Sequence, residues 1–361
     1  MLGLSGTEVC QVQRCLSKAR QSIGMAASAR TGCTLFKVEV RRFFYRRSYI
    51  VACADLHPTK PLLLTSHADG VVRIWDIKTQ ELVKAVRAGD MAVRAAFFVA
   101  RTDWVVTGDN NGILRTREYS TLKKIQEFSA HRNPVASIAV HPRHPYLLTA
   151  GGKEIKLWNW ELGWECTQVF KEHSGDIEKI RMNPPDRSTF ASASRDKKIK
   201  LWLPNSPTSR YTLEGHQKAV TAIDFYDKVG RFFLVSGSED KTCKVWDYET
   251  QTCIKTLEHT HKIMSVACHP VANIFLTGTA DGTINMWETE RLTFTSDLND
   301  HLGKPWYIAC LKDSDYVAVG YDDGSMIMAV KLKLNLGVDG QINDTVAPSS
   351  KLNEIVPKSY V

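Results

Sequence analysis

The stretch Ser236-Gly237-Ser238-Glu239-Asp240-Lys241-Thr242-Cys243-Lys244-Val245-Trp246-Asp247-Tyr248 is one copy of a unit that recurs along most of this chain. An apolar strand, Phe232-Phe233-Leu234-Val235, runs into Ser236, an acid-rich tight turn follows, and a second strand sets Cys243 and Val245 against Lys244 and Trp246. The apolar-Trp-polar ending returns at Ile74-Trp75-Asp76, Leu157-Trp158-Asn159, Leu201-Trp202-Leu203 and Met286-Trp287-Glu288. Trp75 and Trp158 are 83 residues apart, which is room for two units, and Thr116 near the midpoint marks a copy that kept its length and lost its Trp. A seventh copy closes at Met328. The period of 41 to 44 residues is the length of a four-stranded blade, so the chain reads as an all-β, seven-bladed β-propeller.

Two further markers keep step with the first. Six residues before each Trp position stand Asp69, Asn110, Gly152, Asp196, Asp240, Asp281 and Asp322, and a His opens successive units at His131, His173, His216, His261 and His301. These residue types predict a buried relay inside each blade. The carboxylate orders the turn, the His orients against it, and a hydroxyl and the indole N–H find partners. The fullest sets are His173, Ser192, Asp196, Trp202; His216, Ser236, Asp240, Trp246; and His261, Thr277, Asp281, Trp287. His, Ser and Asp in that order also suggest a hydrolase triad, but a nucleophile is needed once and a set repeated in several blades is structural. In the third blade, Thr149-Ala150-Gly151-Gly152-Lys153-Glu154 has lost both the turn Asp and one residue, and a looser turn is expected at Gly152.

The net charge of +8 is concentrated at one end. Residues 1–50 hold nine Lys/Arg against Glu8 and Glu39, a net of +7, so the repeats carry about +1 and no global electrostatic footprint for nucleic acid. No apolar run approaches the roughly 18 to 20 residues that a membrane-spanning helix needs. The nine cysteines form no Cys-x-x-Cys pair and no metal spacing, and most of those after Cys33 fall in strand patterns, as small buried hydrophobes of a reducing compartment do. No phosphate-cradling loop, zinc-binding helix motif or nucleophile elbow occurs, so neither catalysis nor a cofactor nor a metal is expected. A rigid ring with loops on two faces is a docking platform for peptides or proteins.

Residues 1–34 are Ser/Ala-rich and basic, without the blade pattern, and read as a disordered extension; their composition also resembles an organelle transit peptide. The alternating segment Leu35-Phe36-Lys37-Val38-Glu39-Val40-Arg41 reads as a lone strand ahead of the first blade, able to close the ring by joining the last. The propeller is placed at 35–333, and 334–361 is a Pro/Ser/Asn/Lys tail. His-Pro turns recur at His57-Pro58, His141-Pro142 and His269-Pro270, with Asn183-Pro184 in a fourth unit.

The repeats resemble the WD-repeat family. Val93-Arg94-Ala95-Ala96-Phe97-Phe98 with Arg101 and Trp104-Val105-Val106-Thr107-Gly108 is similar to the second blade of coatomer beta-prime subunits. So are Ile155-Lys156-Leu157-Trp158-Asn159-Trp160-Glu161, Phe190-Ala191-Ser192-Ala193-Ser194, Gly320-Tyr321-Asp322-Asp323-Gly324 and the Trp-less second blade. The likeness runs from about Leu35 to Lys333, the first propeller of that family. It implies a place in the COPI coat, cytoplasmic and peripheral on Golgi or vesicle membranes, with other coat subunits and the cytosolic tails of membrane cargo as partners. In that family the first propeller recognises dilysine tails: basic residues hold the terminal carboxylate and acids at blade turns hold the lysines.

Carried over position by position, that peptide site is degenerate here. The basic residues of the first blade fall on Ile50 and Ala52, and the second-blade Arg is kept as Arg94. Of the acids, one falls on Asn133, one on Gly152 or the neighbouring deletion, and one is replaced conservatively by Glu239, so weakened dilysine binding is expected. The competing expectation is a substrate adaptor of a ubiquitin ligase or another scaffold. Such adaptors often carry Arg two places after Trp-Asp, where this chain has Lys78 and Glu249.

Overall fold

The computed structural model describes residues 35–43, 50–79, 81–99, 101–183, 189–228, 230–270, 273–299, 303–310, 317–324 and 326–335. The basic extension expected over 1–34, the tail beyond 335 and His301 lie outside them. The regular structure is 28 β-strands, and no helix among the described residues is long and apolar enough to cross a membrane.

Six sheets of four consecutive antiparallel strands occupy residues 51–87, 93–129, 135–170, 177–213, 220–258 and 263–299. A further four-stranded sheet runs in the order Leu35–Phe43, Met326–Asn335, Val317–Tyr321, Pro305–Cys310, joining strands from both ends of the repeats. The fold is an all-β propeller. In each of the first six blades burial falls outward: the second strand is almost wholly buried, as in Ile274–Thr279, whereas outer strands such as Leu82–Arg87 and Lys124–Ser129 alternate exposed and half-buried residues. The innermost strands lie next to one another around the ring centre, and Val51–Leu56 of the first blade lies against Pro305–Cys310.

Blades meet through small residues. A Cβ on Gly108 would come within 2.5 Å of Val135, one on Gly237 within 2.4 Å of Ile263, one on Gly278 within 2.8 Å of Pro305, and one on Gly320 within 2.5 Å of Val51. In every case the first residue of an inner strand is seated on a residue without a side chain in a neighbouring sheet. Any larger residue there overpacks the seam.

An inner strand is also a sheet edge, and its free amides must be satisfied within the protein. Side chains of the preceding blade supply acceptors: Asp55 takes the Phe98 N–H at 2.8 Å, Ser137 the Ile180 N–H at 3.1 Å, Asp224 the Cys268 N–H at 2.9 Å and Ser265 the Ile308 N–H at 3.0 Å.

Two sequence expectations are corrected. The third-blade hairpin is tighter than its neighbours, not looser. The ladder continues to Gly151 opposite Glu154, leaving a two-residue turn of Gly152 and Lys153, and Gly152 takes the positive φ of 59° that such a turn needs. Among the cysteines, Cys53, Cys243 and Cys268 are buried, but Cys253 is exposed because its strand is the outer edge of the fifth blade. The buried histidines of the His-Pro turns act as caps: His57 Nδ1 accepts the Lys60 N–H at 3.0 Å, and His141 Nδ1 accepts the His144 N–H at 2.8 Å.

Candidate functional site

The fourth and fifth blades assemble the relay from four separate segments. In the fourth, the Trp202 indole N–H donates to Ser192 Oγ at 2.8 Å, Ser192 lies 2.7 Å from His173 Nε2, and His173 Nδ1 lies 2.7 Å from Asp196. The fifth repeats this with Trp246, Ser236, His216 and Asp240 at 2.8, 2.8 and 2.9 Å. One donor per bond gives one order: indole N–H to hydroxyl oxygen, hydroxyl proton to Nε2, and Nδ1–H to the carboxylate. Burial by itself would raise the Asp196 carboxyl, but bonds from His173 and from the Lys198 and Ser174 amides bring it down to about 2. Asp240, buried likewise and bonded by Thr242, the Gln217 amide and His216, also falls to about 2.

Elsewhere the relay changes hands. In the sixth blade the histidine is His259, not His261: His259 Nε2 lies 2.8 Å from Thr277 Oγ1, which accepts the Trp287 indole N–H at 3.0 Å. His261 is 54% exposed by side chain and meets Asp281 at 3.2 Å on the surface. The physical reason is the distance to the inner strand. The relay histidine stands four residues before the first residue of that strand, as His131 does before Val135, His173 before Ile177 and His216 before Val220, and the residue four before Ile263 is His259. Counting from the previous histidine misses this, whereas counting back from the strand finds it.

The first blade draws its imidazole from its own second strand, a residue the sequence reading passed over. His67 lies 2.9 Å from Thr65, the acceptor for Trp75, while Asp69 turns to Arg73 at 2.8 Å. The third blade keeps His131, Thr149 and Trp158 at 2.7 and 2.9 Å but has Gly152 where the acid stands. In the second blade Gly89 occupies the histidine position, and a Cβ there would meet the Arg115 guanidinium at 2.8 Å. That guanidinium fills the space and pairs with Asp109 at 2.5 Å.

The peptide-site residues fall at inner-strand bulges and at turns or connections of the blades. Every inner strand carries a bulge after its first residue, between Val51 and Cys53, Val93 and Ala95, Val135 and Ser137, Ile177 and Lys179, Val220 and Ala222, Ile263 and Ser265, and Pro305 and Tyr307. A bulged residue leaves the ladder and is re-aimed. Ala52, Arg94, Ala136, Glu178, Thr221, Met264 and Trp306 are the bulged residues, half-buried or exposed, each following a buried first residue.

Arg94 is exposed and donates to Asn110 Oδ1 at 2.6 Å. Asn133 leans over the tight turn, so that a Cβ on Gly152 would lie 2.3 Å from its amide nitrogen. Glu239 faces Lys262 at 3.8 Å, and Glu178 is paired with Arg195. Among the described residues no hydrogen bond or ion pair joins Arg94, Asn133 and Glu239 to one another. Ile50 is 38% and Trp306 42% exposed, so part of this surface is apolar.

On the inner strands, Lys179 Nζ lies 4.0 Å from the centre of the Tyr307 ring, Arg181 donates to Tyr307 Oη at 3.2 Å, and Arg181 Nε lies 3.6 Å from Asp224. Burial, and then the neighbouring Arg181, push Lys179 down to about 7. No group of three or more His, Cys, Asp or Glu side chains among the described residues is placed to hold a metal ion.

The WD domain, G-beta repeat family matches residues 40–76, 122–159, 164–202, 207–247 and 251–288, passing over the Trp-less second blade and the last. Over 321 residues, 88% of this chain, the sequence is 41% identical to coatomer subunit beta'-1 of Arabidopsis thaliana, covering 35% of that protein. It is 41% identical to coatomer subunit beta' of Rattus norvegicus and 40% identical to that of Drosophila melanogaster, each over 81% of this chain and 32% of the relative. The chain thus spans about a third of the length of the curated relatives it matches.

His259→Ala is expected to lower unfolding stability by about 1 to 3 kcal/mol, since it leaves a buried hydroxyl short of a partner, whereas His261→Ala at the surface changes it by less than about 0.5 kcal/mol. Urea unfolding of both variants checks this, and equal losses would return the relay to His261. A second expectation concerns pH. Burial, with Lys156 nearby, pushes His131 down to about 4. Between that value and about 6.5 the unfolded chain binds more protons than the folded one, so the stability from keeping this ring neutral is full above about pH 6.5 and is lost as pH falls toward 4. His131→Asn is expected to remove about 2 kcal/mol of the decline between pH 7 and pH 5, measured as the difference in urea-unfolding free energy at the two values.

Proposed function

We infer the function from a premise that the repeats establish: the chain belongs to the WD-repeat family, and the relatives matched over its propeller are named coatomer subunit beta'. On that basis the chain is a non-catalytic protein-interaction propeller in COPI vesicle-mediated transport between Golgi and endoplasmic reticulum. It works in the cytoplasm, peripheral to Golgi or vesicle membranes, with other coat subunits and cytosolic cargo tails as partners. The observation that carries this reading is identity of 41% sustained over 88% of the chain.

The peptide-site residues favour weak dilysine recognition. Arg94 is the one basic residue retained of the three positions compared, and the turns offer Asn133 and Gly152 where acids are needed. A charge-assisted hydrogen bond contributes roughly 1.5 to 3 kcal/mol, so losing two lowers affinity by about 10² to 10⁴. A titration of the full chain with a fluorescent peptide ending in Lys-Lys-x-x, against a Ser-Ser control, is expected to give no saturable binding in the micromolar range. Ile50→Arg with Ala52→Lys is expected to restore it by about 10²-fold, because residue 50 is exposed and residue 52 is the bulged one. Tight binding by the unaltered chain, lost in Arg94→Ala, would overturn the weakening.

We also propose that the ring has seven blades and that Leu35–Phe43 closes it. The mixed order of the last sheet and the seating of Val51 on Gly320 support this. Removing residues 1–43 is then expected to lower the thermal midpoint by about 10 °C or more, whereas removing 1–34 leaves it unchanged. Equal midpoints for the two truncations would sink the idea.

A further inference from the structure

The sixth blade holds a cavity of about 220 Å³ that follows from its shortened relay loop. In the connection from the fourth blade to the fifth, Leu213 and His216 are separated by two residues, and a Cβ on the second of them, Gly215, would lie 3.3 Å from the Trp246 ring edge. In the connection from the fifth blade to the sixth only Glu258 separates Leu257 from His259, so this loop is one residue shorter and has no counterpart of Gly215. The uncovered space is walled by three rings. Phe294 stands at 76° to Trp287 with centroids 5.6 Å apart, and His259 lies 5.2 Å from Trp287 at 57°. Phe294 is 50% exposed, so the corner opens to solvent.

The remaining lining is of one chemical character. Glu258 contributes a carboxylate, Thr283 and Asn285 contribute polar groups, and among the described residues no Lys or Arg lines the space. The His259 ring is kept neutral by burial, with Nδ1 3.1 Å from the Leu257 carbonyl and Nε2 engaged by Thr277. His261 faces Asp281, whose carboxylate is also bonded by Thr279 and Thr283. Aromatic faces meeting at a corner beside a carboxylate attract a weakly hydrated cation, and a strongly hydrated ammonium much less. Phe294 also lies in Thr293–Asn299, the outermost strand of its sheet, whose free edge offers backbone groups to an extended peptide.

We propose that this corner binds the side chain of an N-methylated lysine on a peptide laid along the outer strand of the sixth blade. None of Arg94, Asn133 and Glu239 lines this space. The test is a titration of the full chain with a short Gly/Ser-flanked trimethyl-lysine peptide, followed by the Trp287 indole N–H signal in a ¹⁵N spectrum. The comparison peptide replaces the quaternary nitrogen by carbon.

A saturable shift is expected, about tenfold weaker for the carbon isostere and for unmethylated lysine, and at least about fivefold weaker in Phe294→Ala and Glu258→Gln. Both variants alter exposed side chains, and their urea midpoints establish that they fold. Three results would overturn the proposal: equal affinity for the isostere, no shift at millimolar peptide, or binding unchanged in Phe294→Ala. A shift produced by phosphatidylcholine vesicles but not by the peptide would assign the corner to a lipid headgroup and overturn it as well.

Discussion

A single hydroxyl oxygen in the second strand of a blade holds the relay together. Thr65, Thr149, Ser192, Ser236 and Thr277 each accept an indole N–H and share the same oxygen with an imidazole. An indole withdrawn from water without an acceptor costs about 1 to 3 kcal/mol, so each Trp that is packed into its blade requires that oxygen. The oxygen must then place its own proton, and a neutral imidazole is what takes it. Where an acid stands behind the ring, as Asp196 and Asp240 do, the tautomer is held and the adjoining turn is capped in the same stroke. Where the acid is missing, as behind His131, the ring keeps its place, and burial with Lys156 nearby lowers its pKa.

This dependence explains how the blades differ. With Thr116 at the repeat position of the second blade there is no indole to satisfy there. The histidine position becomes Gly89, and an Arg115–Asp109 pair takes over the work of ordering the turn. In the first blade Arg73 captures Asp69, and the imidazole comes from His67 within the same strand. Each substitution fills the same space by other means.

Much of the architecture was legible from Trp spacing, because one Trp per blade is a geometric marker that tolerates few positions. The turn acids were legible for the same reason. The histidines were less so: loop length between blades varies by a residue, and the constraint runs from the imidazole to the next strand, not from one histidine to another. That is why His261 was chosen over His259. The Gly152 turn was misread because a deletion suggests loosening, whereas removing one residue from a hairpin converts it to the tighter two-residue class. Nothing in the residue pattern announced the corner at Trp287 and Phe294, which arises from a missing neighbour, or the Lys179–Tyr307 contact, which joins inner strands far apart in the chain.

The bulges at the start of the inner strands separate two kinds of selection. A residue that opposes no partner across the ladder and whose side chain is half-buried or exposed contributes little to folding, and surface changes of that kind usually cost under about 0.5 kcal/mol. Ala52, Arg94, Ala136, Glu178, Met264 and Trp306 are such positions, spanning apolar, acidic and basic character on one backbone, whereas the Thr221 hydroxyl donates to the Ile263 carbonyl of the next blade at 2.7 Å. Mutational drift can therefore rewrite what these positions recognise while the hydroxyl relays and glycine seams hold still. A duplicated gene carrying this scaffold is free to change its clientele one bulged residue at a time without passing through an unfolded ancestor.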